Sequence, residues 1–267
     1  IKRMGIAIVI TSGKGGVGKT TSTANIGTAL ALQGKRVCLI DMDIGLRNLD
    51  VILGLENRII YDIVDVVEGR TKLHQAIIKD KRFNDNLYLL PAAQNADKND
   101  VNGQQMIEIV AELKKEYDYI LIDCPAGIEQ GFQNSIAAAD QAILVTTPEI
   151  SAIRDADRII GLLEQTELEP PRLIINRIRK RMMQDGEVMD IDEITRHLSI
   201  DLLGIVFDDD DVVRSSNKGD PIVLNPKNPA SQGYRNIARR ILGETVPLMT
   251  LTKEKPTFWQ KIFGKRK

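Results

Sequence analysis

Residues 6–21 read IAIVITSGKGGVGKTT. The run opens on β-branched and apolar residues, Ile6, Ile8, Val9, Ile10 and Thr11, which suit a strand buried on both faces of a parallel sheet. It breaks into glycines at Gly13, Gly15, Gly16 and Gly18, then resumes as a helical pattern, TTSTANIGTALALQG, that stops at Gly34. Gly13 through Thr20 fits G-x-x-x-x-G-K-[ST], the phosphate-binding loop. Backbone N–H groups converge on phosphate oxygens only where no Cβ intervenes, and glycine permits the dihedrals this requires. The helix that follows adds the partial positive charge of its N-terminus. Lys19 supplies a point charge for the β- and γ-phosphates of a bound nucleotide, and the Thr20 hydroxyl a ligand for Mg²⁺. Gly13, Lys14, Gly15, Gly16, Val17, Gly18, Lys19, Thr20 and Thr21 are the expected nucleotide contacts.

Outward from the loop, strand-like runs recur: Lys35–Asp41 (KRVCLID), Asn86–Leu90, Asp118–Asp123 (DYILID), Gln141–Thr146 (QAILVT), Arg172–Asn176 (RLIIN) and Asp201–Val206 (DLLGIV). Helical patterns at Ile59–Glu68, Gln104–Glu116, the run after Pro148-Glu149 and Pro229–Leu242 alternate with them. The expected fold is a doubly wound α/β domain with a mostly parallel sheet. In such a sheet, carboxylates at the C-terminal ends of strands face the ligand crevice. Asp43, in the D-x-D that ends the second strand, is expected to orient the attacking water and hold Mg²⁺ waters. The competing reading is a turn cap. Asp123 ends an apolar strand about a hundred residues after the loop, the Walker B pattern, and is the second expected Mg²⁺ contact, direct or through water.

Composition sets bounds. Of 267 residues, 43% are apolar and 27% charged, the profile of a globular protein with ample core. Lys and Arg number 36 against 37 Asp and Glu, net −1. Six of those cations and one glutamate fall in residues 253–267, leaving −6 for the remainder, a balance that argues against a nucleic-acid partner. Cys38 and Cys124 sit in apolar runs without C-x-x-C spacing and read as buried free thiols. No signal peptide or apolar run of transmembrane length is present, so the expected location is the cytoplasm, peripheral at most to the inner face of the cell membrane.

Lys14 makes the loop particular. The octet GKGGVGKT, with DMDIGLRNLD, DCPAGIEQG and TTPEISAIRDADRIIGLL, resembles the ParA/MinD superfamily of deviant Walker A ATPases over nearly the whole chain. The resemblance implies that Lys14 reaches across an ATP-sandwiched homodimer to the partner's phosphates, so that Lys14, Lys19 and Asp43 form the catalytic set. It implies that Asn176 reads adenine, although an asparagine at a strand end is also a turn former, and that Phe207 replaces the proline usual beside the base. Arg47, Arg154, Asp155 and Asp157 would form a partner surface; solvated local ion pairs are the other reading of that helix face. It further implies a slow, membrane-activated ATPase that positions the division septum by recruiting the inhibitor MinC, with MinE or a polar tethering factor as effector. The alternative within the superfamily is a DNA-partitioning ATPase of the ParA type.

The chain divides into an ATPase domain, 1–243, a linker, 244–256, and the segment 257–267, TFWQKIFGKRK. On a helical wheel Phe258, Trp259, Ile262 and Phe263 fall within an arc of about 140°, with Lys261 and Lys265 flanking it. That pattern suits an anionic membrane surface; a disordered solubilising tail and a helix packed on its own domain are the competing readings, and four large apolar residues in eleven argue against the first.

Overall fold

The computed structural model describes residues 3–251. The membrane segment read at Phe258, Trp259, Lys261, Ile262, Phe263 and Lys265 lies outside the described residues. Eight strands form one sheet: β1 (Ile6–Thr11), β2 (Val37–Asp41), β3 (Ile78–Lys79), β4 (Leu87–Leu90), β5 (Tyr119–Asp123), β6 (Gln141–Thr146), β7 (Arg172–Ile178) and β8 (Asp201–Phe207). Their order is β3-β4-β2-β5-β1-β6-β7-β8, and every pairing is parallel except β3 with β4. The strand pattern predicts this doubly wound sheet, and the structure has it.

Alternation along the central strands explains the two helical layers. Ala7 and Val9 of β1 join one apolar cluster, with Cys38, Ile40, Ile120 and Ile122. Ile8 and Ile10 join the other, with Val37, Leu39 and Leu121. A strand buried on both faces forces helices onto both faces. The chain leaves β1 toward β2 on one side and β6 lies on its other side, so the crevice at the C-terminal end of β1 is the topological switch point. Cys38 and Cys124 are buried free thiols within this packing.

Two local expectations need correction. The helix read over Ile59–Glu68 spans only Ile63–Val67, because Asp62 and Asp65 exchange side-chain-to-backbone hydrogen bonds in a capping box that fixes the start. Residues 244–251, read as the start of a linker, are docked. The Arg240 guanidinium donates to the carbonyls of Leu203, Val246 and Pro247, each at 3.0 Å. Met249 and Leu251 pack on the core. Among the described residues, no helix is long and apolar enough to cross a membrane.

Candidate functional site

The loop after β1 carries a division of labour among its glycines. Gly16 (φ +78°) and Gly18 (φ +87°) adopt the left-handed conformation that turns the chain into the helix Lys19–Leu32. A Cβ on Gly15 or Gly16 would meet nothing within 4 Å, so this side of the loop is open for an anion. Gly13 is different. A Cβ there would lie 2.2 Å from the Asp155 carbonyl oxygen, because the helix Ile150–Leu163 packs directly on the loop. Gly13→Ala is expected to displace loop or helix, lowering stability by about 1–3 kcal/mol in a denaturant titration and weakening nucleotide binding at least tenfold.

Asp123 is the hub beneath the loop. Its carboxylate, 0% exposed, accepts from Lys19 Nζ at 2.6 Å, Thr20 Oγ1 at 2.9 Å and Thr23 Oγ1 at 3.2 Å. Burial acts to lower the Lys19 pKa, but the charge and hydrogen bond of Asp123 outweigh it, so the ammonium is held above its usual value. The expectation puts Lys19 at the phosphates; in this structure it rests on Asp123. The Thr20 hydroxyl, its proton committed to Asp123, keeps oxygen lone pairs for a cation. Among the described residues no cluster of three or more His, Cys, Asp and Glu could hold a metal alone. The donor set therefore fits Mg²⁺ held jointly by Thr20, Asp43 or Asp123 through water, and phosphate oxygens, the usual manner for that ion.

The two aspartates of D-x-D separate. Asp41 is 1% exposed, accepts from the amides of Asp43 (2.9 Å), Asn48 (3.2 Å) and Leu49 (3.3 Å), and shapes the loop 43–49. Burial, then the neighbouring Asp123, pushes its carboxyl up to about 7. Asp41 is the turn cap. Asp43 instead lines a cleft of about 440 Å³ with Gly15, Gly16, Lys19 and Thr20. Burial raises its pKa while Lys19 draws it back.

Behind Gly18 lies a second cleft of about 240 Å³, lined by Thr21, Asn176, Arg177, Phe207 and Val212 among others. Both clefts share Gly18, Thr21 and Arg177, so they form one elongated trough. Asn176 is brought to it, but its Nδ2 donates to Val17 O at 2.8 Å and fills the space a Cβ on Gly18 would need. Lys180 lies over the Phe207 ring at 4.4 Å to the centroid. Of the acidic run, Asp209 caps the helix Asp210–Asn217, accepting from Asp211 N at 2.8 Å.

Lys14 does not line its own cleft; its Nζ donates to Ser151 Oγ at 2.9 Å, at the surface. Of the surface residues expected to meet a partner, Arg154 and Asp157 are exposed and, among the described residues, make no ion pair. Asp155 is half-buried against Gly13. Arg47 departs from the expectation: its guanidinium turns inward to the buried Asp50 at 3.1 Å and serves the loop.

The family model of the CobQ/CobB/MinD/ParA nucleotide-binding domain matches residues 8–222. The septum site-determining protein MinD of Bacillus subtilis is 68% identical over 267 residues, covering 98% of this chain and 100% of that one. The chain belongs to the MinD family. Solved structures agree. The MinC:MinD cell division complex of Aquifex aeolicus contains a chain 51% identical, with a TM-score of 0.85 over 92% of this chain and 98% of that one. The Pyrococcus horikoshii MinD complexed with Mg-ADP is 31% identical, with a TM-score of 0.81 over 89% and 96%.

The MinD-family trough contains residues to which sequence reasoning gave no role. Arg177, at φ +55°, donates to Gly16 O at 2.6 Å and lines both clefts. Its only signal was adjacency to Asn176. Thr23 was legible as one turn beyond Lys19 on the same helical face.

Proposed function

We propose that this MinD-family ATPase binds MgATP along the trough, dimerises on it, and hydrolyses it slowly while the dimer holds MinC at an anionic membrane surface. The observation that carries the reading is the contrast between two lysines. Lys19 points inward to the Walker aspartate, whereas Lys14, on the same loop, points outward and away from its own phosphate cleft. A loop cation that cannot serve its own site is free to serve a partner's. The relatives add support: one was solved with Mg-ADP and another in a complex with MinC. In this reading residues 1–243 form the ATPase domain with 244–251 docked on it, 252–256 join it to the tail, and 257–267 contacts lipid. Arg154 and Asp157 offer the exposed face that a protein partner reads; MinE or a polar factor would act there too.

The chemistry follows from the residues. Loop amides from Gly13 to Thr21 and Lys19 cradle the phosphates, and Asn176 faces the base. Mg²⁺, when bound, neutralises charge on the β- and γ-phosphates. Asp43 accepts a hydrogen bond from the attacking water and aligns it on the γ-phosphorus. Lys14 of the second copy meets charge that develops on the phosphoryl oxygens.

Asp43→Ala is expected to lower kcat about 10²–10³-fold while ATP affinity stays within a few-fold, and to leave an ATP-bound dimer that accumulates. Because burial raises the Asp43 pKa, parental activity falls as pH drops through a value above the ordinary carboxylate range. The variant should lack that acid limb. Light scattering with and without MgATP, alongside a pH–rate profile, tests both; a variant with parental kcat removes Asp43 from the reaction.

A further inference from the structure

Two walls of the trough belong to separate helices that meet at their ends. The helix Leu49–Leu53 follows Asp43 after the short loop 44–48, and its Val51 and Ile52 line the phosphate cleft. The helix Asp210–Asn217 presents Val212, Val213 and Ser216 to the base cleft. Each terminates in a left-handed glycine, Gly54 (φ +69°) and Gly219 (φ +71°). The two glycines touch: a Cβ on Gly219 would lie 2.6 Å from Gly54 Cα, and one on Gly54 3.0 Å from Gly219 O. No side chain cushions the contact, so displacement of either helix end is passed to the other.

One guanidinium closes the joint. Arg82 Nη2 donates to Leu53 O at 2.5 Å, and Arg82 Nη1 to Gly219 O at 2.9 Å and Asp220 Oδ1 at 3.1 Å. Its Nε and Nη2 also donate to the carboxylate of Asp80, 1% exposed, at 3.0 and 2.8 Å. Helix C-termini leave carbonyls without intrahelical partners, and the planar fork satisfies one from each segment at once. A lysine could keep the charge beside Asp80 but not this three-way geometry.

We propose that Arg82 is a positioning residue that joins the base-cleft wall to the segment following Asp43, so that a nucleotide base in one cleft sets the placement of the catalytic loop in the other. The proposal rests on the nucleotide reading above and adds coupling between the two ends of the site. Such coupling is reciprocal: whatever orders residues 43–54 must also tighten the grip on the base.

Amide hydrogen exchange with MgADP tests it, because ADP lacks the γ-phosphate that would touch the catalytic loop directly. The probes are the amides of Gly54 and Leu55, bonded to Val51 O and Asp50 O, and those of Lys218 and Gly219, bonded to Ser215 O and Ser216 O. In the parent, MgADP should slow exchange at both ends. In Arg82→Lys, slowing at 218–219 should persist while slowing at 54–55 falls at least fivefold, with kcat down about tenfold and KM for ATP within twofold. The double variant Asp80→Asn/Arg82→Gln, which leaves no unpaired buried carboxylate, should behave alike. Full slowing at 54–55 in both variants would overturn the coupling, as would equal loss at both ends. A parent unprotected at 218–219 would overturn the nucleotide reading, whereas one protected at 218–219 but not at 54–55 would overturn the coupling alone.

Discussion

Lys19→Ala should abolish hydrolysis and also destabilise the nucleotide-free protein, by about 3 kcal/mol at neutral pH. The second effect follows from where the lysine rests. Asp123 is 0% exposed, Asp41 is 1% exposed, and the two stand in register on adjacent strands. Among the described residues Lys19 is the only cation in contact with Asp123, and removing it leaves a buried carboxylate held by the Thr20 and Thr23 hydroxyls. Hydrogen bonds to those hydroxyls survive, which places the loss at the lower end of the range of about 3–5 kcal/mol for a broken buried pair. That is still a large share of a net stability of about 5–15 kcal/mol. The deficit is measured by urea unfolding at pH 7.5. Lys19→Ala/Asp123→Asn should recover most of the stability and none of the activity. A single variant as stable as the parent at pH 7.5 would mean that the ion pair contributes nothing before nucleotide arrives.

The separation of these two roles explains what was legible in the sequence. Local patterns carried far. The strand–glycine–helix run at 6–34, the alternation that buries β1 on both faces and the terminal aspartates of β2 and β5 each followed from residues a few positions apart. What escaped depends on contacts across the fold. Lys19 and Asp123 are 104 residues apart, and Arg177 reaches Gly16 over 161. The Walker B pattern brings Asp123 to the same site, but neither segment announces the Lys19–Asp123 ion pair or the Arg177–Gly16 hydrogen bond. The competition between Asp41 and Asp43 was likewise undecidable from D-x-D alone, because which carboxylate turns back to cap the loop depends on where Asn48 and Leu49 present their amides. Other misses had a signal. Asp190 and Glu193 form a capping box that starts the helix Ile191–Leu198, and the spacing is plain in DIDE. The apolar residues of TVPLMTL marked residues 245–251 as docked chain, where a solvated linker would be polar.

Lys14→Ala separates what a single copy does from what a pair does. Because Lys14 Nζ sits on Ser151 and lines no part of its own cleft, MgADP affinity should stay within about threefold of the parent's. Pairing on ATP should be lost, and with it kcat, by about 10³-fold, the scale of a cation supplied in trans to a phosphoryl transfer. The same variant should also lose its hold on lipid. Residues 257–267 offer four large apolar side chains and three lysines and one arginine. Partial burial at ~1–2 kcal/mol per apolar side chain, with ~1 kcal/mol per nearby cation, is opposed by the cost of ordering the segment. One such segment should therefore bind as weakly as a single acyl chain. Two on one dimer gain roughly 10²–10⁴ in avidity from effective concentration, with no new contact. Co-sedimentation with anionic vesicles should accordingly be ATP-dependent in the parent, 10²-fold weaker or more in Lys14→Ala, and absent from both when 257–267 is removed. If Lys14→Ala bound vesicles as tightly as the parent with ATP, one segment would suffice and nucleotide would not control attachment through pairing. If it remained dimeric on MgATP, the outward lysine would have no part in the partner's site, and the contrast with Lys19 would need another cause.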